Sequence, residues 1–420
     1  MSEFPLEIRD PVYGFIPFDD WERQIIDSFP FQRLRRIQQL ALTSFIYPGA
    51  VHSRFEHSLG VMHLATLMFN NIISRESNMN LLKDILGYRE IGIEKTRRLI
   101  RLAALLHDIG HAPFSHAGEE IMPVNSQTGK KYKHENYTSA IIRNALKSCI
   151  EDHKINKANY KITADDVANL IDGLSTDFLF WKVLISSQLD ADKGDYLLRD
   201  SHHIGVKYGV YDYNRLLNTL ALGIDPETKN DIILGVREDG WHVAESVILA
   251  RYQMFTQVYF HKTRRAFDYH LLNAFKKILK NEVLPDTNHL DEYLDIDDYV
   301  IWEHIKKNKL DKDFRALLYR EQVRAIYSTK EMKSNDSQKN IEKKSAILND
   351  HKIPFIVDEL NSLWYKSKID LEIMVIDKEN NPSPLSKYSP IVQNIGEIGQ
   401  SRIYVDKVNQ EKGKEFIDDK

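Results

Sequence analysis

Leu105-Leu106-His107-Asp108-Ile109-Gly110-His111-Ala112-Pro113-Phe114-Ser115-His116 is the stretch from which the rest of the chain is read. An apolar run, Leu99 to Leu106, leads straight into three histidines and an aspartate. Such a run predicts a buried helix that ends where the polar groups begin. His107 and His111 stand four apart and share a face if the helix continues. Gly110 and Pro113 break it and open a loop that carries His116. Imidazoles and a carboxylate at the end of a buried helix are costly unless they bind something, and a divalent metal is the natural candidate.

Working outward, four side chains suggest themselves as ligands: His57, His107, Asp108 and Asp192. Two imidazoles and two carboxylates suit a borderline or hard divalent ion such as zinc, iron, manganese or magnesium. In a chain with 16 histidines a His-Asp dipeptide alone says little. A lone histidine is more often a hydrogen-bonded polar residue than a ligand. The extended string is much harder to explain that way.

Composition sets the bounds. A length of 420 residues suggests roughly two or three domains. The formal charge of −4 argues against a general nucleic-acid coat and permits local basic pockets. The single cysteine, Cys149, excludes an internal disulfide and fits a reducing compartment. No apolar run approaches the roughly 18 residues of a membrane span, and Met1-Ser2-Glu3-Phe4 has no basic-then-apolar leader design. The expected location is cytoplasmic.

Along the chain, residues 1–20 read as a loop or short hairpin, because Pro5, Pro11, Gly14 and Pro17 exclude a helix. Asp20 is placed to cap a helix from Trp21, and Pro30 divides the next apolar stretch. Ser58 precedes a helical segment to about Ile73, residues 78–92 form an exposed connection, and Thr96 caps the central helix. Helices are expected from His134, over 163–174 after Thr163, over 184–199, over 243–279, over 290–304 and over 314–326. Ile232–Val236 reads as one strand of a hairpin. Residues 328–351 are a composition break, read as a linker or charged helix, with strand-like runs at 369–376 and 401–405 beyond it.

Several strings together carry a resemblance: Phe31-Gln32-Arg33-Leu34-Arg35, Pro48 to Val61 with Arg54-Phe55-Glu56-His57-Ser58-Leu59-Gly60, His107 to His116, and Asp192-Lys193-Gly194-Asp195-Tyr196-Leu197-Leu198-Arg199-Asp200-Ser201-His202-His203. The order His57, His107-Asp108, Asp192 is that of the HD-domain metal phosphohydrolases. The longer strings resemble the deoxynucleoside triphosphate triphosphohydrolases, the bacterial relatives of the SAM-and-HD-domain protein. The likeness covers about residues 5–275 and is thin beyond about 330.

The resemblance implies a mainly α fold: an HD-domain helical core with small β-hairpin insertions over 1–330, including an N-terminal nucleotide-binding and oligomerisation segment, then a linker and a small C-terminal α/β region over 331–420. It implies cleavage of a dNTP to deoxynucleoside and tripolyphosphate, with one divalent metal ion per subunit held by His57, His107, Asp108 and Asp192. Mg, Mn, Fe, Zn, Ni and Co all remain open. His116 matches the general acid, Glu119 its orienting partner, and His111 and His134 supporting positions. Arg54 and Lys193 match phosphate contacts; without the likeness they read as ion-pair partners of Glu56 and Asp190. Tyr196 matches a wall against a 2′-hydroxyl, and Asp200 with Gln39 matches a 3′-hydroxyl site. Val258-Tyr259-Phe260-His261-Lys262-Thr263-Arg264-Arg265-Ala266-Phe267 departs from the family, placing Tyr259, Thr263 and Phe267 where an arginine, a histidine and a tyrosine are usual. Tyr259 is retained as a substrate contact. Asp27, Gln32 and Arg35 match residues that read an activating guanine nucleotide, dGTP or GTP, in homo-tetramers. No membrane or nucleic-acid partner is implied. Two other readings stand beside this one: another HD phosphohydrolase (a nucleotidase or cyclic-dinucleotide phosphodiesterase), and a nucleotide-binding regulator without turnover.

Overall fold

The computed structural model describes residues 4–88, 90–174, 178–229, 231–331, 335–359, 372–395 and 398–418. It is mainly helical, and no helix among the described residues is long and apolar enough to cross a membrane. Two helices pack at its centre, Arg54–Ile73 and Glu90–Leu106, and a third, Ala191–Ile204, lies against the first.

The Arg54–Ile73 helix begins five residues earlier than the apolar pattern suggests. Glu56 turns back to accept the Ser53 backbone N–H at 3.1 Å, the spacing of a capping box. Arg54, His57 and Ser58 therefore sit on its first two turns, all buried. The central helix runs from Glu90, so Thr96 lies inside it rather than capping it; its hydroxyl donates to the Gly92 carbonyl at 3.0 Å. This helix stops at Leu106. Residues 107–115 are turns, with Ile109 N–H on Leu106 O and His111 N–H on Asp108 O, both at 3.1 Å. His107 and His111 thus stand on a turned backbone, each within 3.4 Å of Asp108 Oδ1, not along a continued helix face.

The Ala191–Ile204 helix starts later than expected. Residues Leu179–Leu184 form a 3-10 turn, and Asp190 caps the helix by accepting the Lys193 N–H at 2.7 Å. It ends at Gly205, whose φ of +74° suits a left-handed C-terminal cap. It packs tightly on the Arg54–Ile73 helix at Gly60. A Cβ there would fall 1.9 Å from Asp195 Oδ1 and 2.3 Å from Arg199 Nη2.

Other boundaries move for local reasons. Asp19, not Asp20, caps the first helix, accepting the Glu22 N–H at 2.9 Å. Residues 76–86 are a helix closed by Gly87 at φ +63°. The 290–304 stretch is two helices, Leu290–Leu294 and Asp298–Lys307, the second capped by Asp297. Helix Lys312–Tyr319 gives way to a strand where a longer helix is expected, because Arg320 turns left-handed at φ +59°. The charged break is helix Asn335–Asp350.

Nine strands form three small sheets among the described residues. β1 (Leu6–Asp10) and β2 (Gly14–Phe18) are an antiparallel hairpin. β3 (Leu220–Ile224) and β4 (Ile232–Arg237) pair with Leu222 opposite Leu234. β5 is Arg324–Ser328, β6 Phe355–Glu359, β7 Met374–Ile376, β8 Pro382–Pro384 and β9 Ser401–Val405. β7 runs parallel to β4 with Gly235 opposite Met374 and carries β8 on its other edge. β9 lies between β5 and β6, with Val405 opposite both Arg324 and Phe355. Residues 369–371 of the expected strand lie outside the described residues. Strands from both sides of the expected division at 330/331 share two of these sheets, and Ile373, Val375, Leu385 and Val392 pack into the same apolar core as Phe69, Phe114 and Phe275.

The Gly60 contact generates a stability prediction. Gly60→Ala forces apart two helices at a buried ion pair. The expected loss is about 3 kcal/mol or more, read as a lowered urea midpoint; an unchanged midpoint would show that the helices can separate freely there.

Candidate functional site

Four side chains from three elements meet where the central helix ends. His57 Nε2 lies 3.1 Å from Asp192 Oδ1 and 3.5 Å from Asp108 Oδ2. His107 Nε2 lies 3.4 Å from Asp108 Oδ1 and 3.7 Å from Asp192 Oδ1. The ligand atoms of His57, His107 and Asp108 lie within 4.8 Å of one another. Each imidazole is anchored through its other nitrogen. His57 Nδ1 donates to Asp195 Oδ2 at 2.8 Å, and His107 Nδ1 to the Ala104 carbonyl at 2.8 Å. Carbonyls and carboxylates only accept, so both Nε2 atoms present lone pairs inward, and neither has a hydrogen-bond partner although both are buried. That donor set, with its oriented outer partners, fits a divalent cation.

The electrostatics make the same demand. Burial works against charge on His57, yet the surrounding carboxylates of Asp108, Asp192 and Asp195 outweigh it and hold its pKa well above the ordinary value. Burial likewise penalises Asp108, but His107, Arg54 and His111 keep its carboxyl well below the usual range, and His107 and His57 do the same for Asp192. These carboxylates favour a positive charge at the centre of the cluster, on a ring or on a bound cation.

A second knot of histidines adjoins the first. Glu119 Oε1 accepts from His116 Nδ1 and His134 Nδ1, each at 2.8 Å, with His111 Nδ1 3.6 Å away. The His111 and His134 rings stack with centroids 3.9 Å apart. Burial and the charges of Arg54 and His134 keep His111 well below its usual pKa, hence neutral. His116 stands at the cavity with 68% of its side chain exposed. It is held there by a strained turn: Phe114 and Ser115 take φ of +55° and +58°, a conformation that persists only when its surroundings enforce it. Asp298 accepts the Phe114 N–H at 2.6 Å, Ser115 Oγ donates to Gln38 O at 2.6 Å, and Arg54 Nε donates to Ser115 Oγ at 2.9 Å.

A cavity of about 660 Å³ opens beside these groups, within the range of small-molecule sites. Gln39, Arg54, His116, Tyr196, Asp200 and Tyr259 line it. Asp200 is buried between His52 Nε2 on Oδ1 and the Tyr259 hydroxyl on Oδ2, both at 2.7 Å. Gln39 Oε1 is buried without a partner. Arg54 pairs with Asp108 rather than Glu56. Lys193 does not line the cavity; its ammonium sits 2.7 Å from Asp190. Of the three residues matched to an activator site, Arg35 Nε donates to Gln32 Oε1 at 2.9 Å. Asp27 instead lines a surface hollow with Asp20, Arg23, Gln24, Ser28 and Cys149.

Four supporting residues escape the sequence reading. Asp195 carries a signal, three places after Asp192 and so one helical turn on. Ser115 lies inside the opening string. His52 lies inside the Pro48-to-Val61 string, and Asp298 carries no signal, since it reaches the site from nearly two hundred positions away.

Two expected outcomes follow. Asp195→Asn replaces the carboxylate that orients His57, and metal affinity measured by competitive chelation should fall about 10–100-fold; undiminished affinity would make Asp195 merely structural. The second concerns His134, which burial pulls down but Glu119 and Asp108 raise above its ordinary value. The folded value therefore exceeds the unfolded one of about 6.5. This pairing stabilises fully below about pH 6.5 and fades as pH rises through the raised value. In Glu119→Gln, NMR titration should find His134 losing its proton at lower pH, and an unmoved titration would remove Glu119 as the cause.

Residues 54–182 match the HD domain and residues 211–403 the HD associated region. Over 263 residues the chain is 34% identical to the uncharacterized protein YwfO of Bacillus subtilis, across 61% of this chain and 52% of that one. It is 31% identical to the deoxynucleoside triphosphate triphosphohydrolase SAMHD1 homolog of Dictyostelium discoideum, across 64% of this chain and 48% of that one. The chain thus spans about half the length of these curated relatives. A crystal structure of a hypothetical protein from Aquifex aeolicus superposes with a TM-score of 0.77 at 30% identity, covering 98% of this chain and 99% of the other. With the His107-Asp108 pair at the centre of the matched region, the chain belongs to the HD-domain family, in the branch that carries an HD associated region.

Proposed function

We propose that this protein is a metal-dependent dNTP triphosphohydrolase, releasing a deoxynucleoside and tripolyphosphate. The observation that carries the reading is the convergence of His57, His107, Asp108 and Asp192 beside a cavity lined by Tyr196 and Asp200. A divalent ion on those four ligands supplies Lewis-acid stabilisation of charge at the α-phosphorus. The chain's own groups do the rest. His116, with Nδ1 fixed on Glu119, keeps Nε2 for donating a proton to the departing 5′-oxygen. His134 shares the Glu119 carboxylate, and neutral His111 packs against it. Arg54 lines the cavity with a guanidinium suited to phosphoryl oxygens. Lys193 joins the phosphates only by leaving Asp190. Tyr196 packs at the sugar and leaves a 2′-hydroxyl no room, while Asp200 and the unpartnered Gln39 oxygen receive the 3′-hydroxyl.

Activation by dGTP or GTP in a homo-tetramer belongs to the same proposal. Its support is a contact path: Arg35 lies 3.5 Å over the Phe55 ring, two residues before His57. A nucleotide that takes the Arg35 guanidinium pulls directly on the helix that begins the metal site.

The test offers each dNTP with Mg²⁺, Mn²⁺, Fe²⁺ or Co²⁺, with and without GTP, and separates the products. Tripolyphosphate is expected, with His116→Ala slower by about 10²–10⁴-fold. Orthophosphate or a linear dinucleotide would replace this reading with another HD phosphohydrolase, and tight binding without product would make the chain a regulator. A rate indifferent to GTP would remove the activator site.

A further inference from the structure

The cavity continues past the sugar end to a wall built by the C-terminal sheet. Val357 and Asp358 of β6 and Tyr404 of β9 line it beside the Lys262–Ile278 helix, on which the sheet packs. That helix presents Arg264, Asp268 and Leu272 at four-residue steps, one face turned to the cavity. Arg265 is already committed: its Nη2 and Nε hold Asp358 Oδ1 and Oδ2 at 2.5 and 3.1 Å. Asp268 is not. Among the described residues nothing donates a hydrogen bond to its buried Oδ1, and its Oδ2 makes only long ion pairs, 3.7 Å from both Arg264 Nε and Arg265 Nη1. Arg264 spends Nη1 on the Tyr259 carbonyl at 2.5 Å, but its Nε is buried and unpartnered.

A buried acceptor and a buried donor left vacant side by side in a cavity wall are costly until a ligand fills them. Resting on the triphosphohydrolase reading, we propose that Asp268 and Arg264 form a base-reading site that selects guanine. A carboxylate offers acceptors only. Guanine alone among the four bases presents two adjacent donors, N1–H and the 2-amino group, to meet both carboxylate oxygens. Its neighbouring O6 accepts from a guanidinium. Adenine and cytosine bring one amino group beside a ring acceptor, and thymine brings one N–H between two carbonyls that the carboxylate repels. The C-terminal sheet supplies part of the wall of this site, and the Arg265–Asp358 fork ties it to the reading helix.

The test compares dGTP with dITP, which lacks only the 2-amino group, under saturating GTP so that any activator site is filled equally. The wild-type protein should favour dGTP in kcat/KM by about 10-fold or more, the loss expected for one hydrogen bond to a charged acceptor. In Asp268→Asn, which swaps one acceptor for a donor, that ratio should collapse to within about 2-fold. Equal use of dGTP and dITP by the wild type overturns the proposal, and needs no variant to fold. So does an undiminished ratio in Asp268→Asn. If no dNTP is cleaved, the triphosphohydrolase reading falls, and the site is read instead by calorimetry with deoxyguanosine and deoxyinosine under the same GTP. Preference for deoxyguanosine that Asp268→Asn removes then upholds the base site alone; equal binding ends it.

Discussion

Three carboxylates surround one buried imidazole, and much of the molecule exists to make that tolerable. Asp108 and Asp192 face His57 Nε2, and Asp195 holds Nδ1. Taken out of water, like charges this close repel strongly. Arg54 balances Asp108, and Arg199, itself braced by Asp10, balances Asp195. Each counter-charge comes from one of the two helices that touch at Gly60, or from the hairpin before them. The packing of the Arg54–Ile73 and Ala191–Ile204 helices is therefore inseparable from the charge balance of the site.

The same economy governs the loop that follows the central helix. A helix that continued past Leu106 would point His107, His111 and His116 in directions fixed by its own geometry. Ending there frees the backbone to turn, and the left-handed residues Phe114 and Ser115 swing His116 toward the cavity. Such a turn needs external restraint, which Asp298 supplies from a distant helix. Burial pushes that carboxyl up to about 7, a cost borne by the surrounding fold for fixing the loop.

Much of this was legible in the sequence because chemistry and local pattern coincide there. The His107-to-His116 string, the Thr163 and His134 helix starts, the 232–236 hairpin strand and the 401–405 strand each carry a short-range signal. Boundaries failed where a side-chain bond overrules periodicity. The Ser53–Glu56 cap starts one helix early, the Asp190 cap starts another late, and left-handed Arg320 ends a third. Long-range pairings left no trace in the pattern. Nothing local distinguishes Asp298 from any helix-start aspartate, or marks Asp268 as a carboxylate with one buried oxygen free of hydrogen bonds among the described residues. Lys193 was readable both ways, and the ion pair with Asp190 is the one formed in this structure.

The order of β5, β9 and β6 carries a consequence for how the molecule comes into being. The middle strand is the last of the nine along the chain, and both its neighbours wait for it. A nascent chain in which β9 is still inside the ribosome already contains His57, the His107-Asp108 pair and Asp192. It lacks the strand that unites β5 with β6 behind Tyr404. The four metal ligands are thus all made before β9, whereas the wall carrying Tyr404 is complete only once β9 has joined its two neighbours.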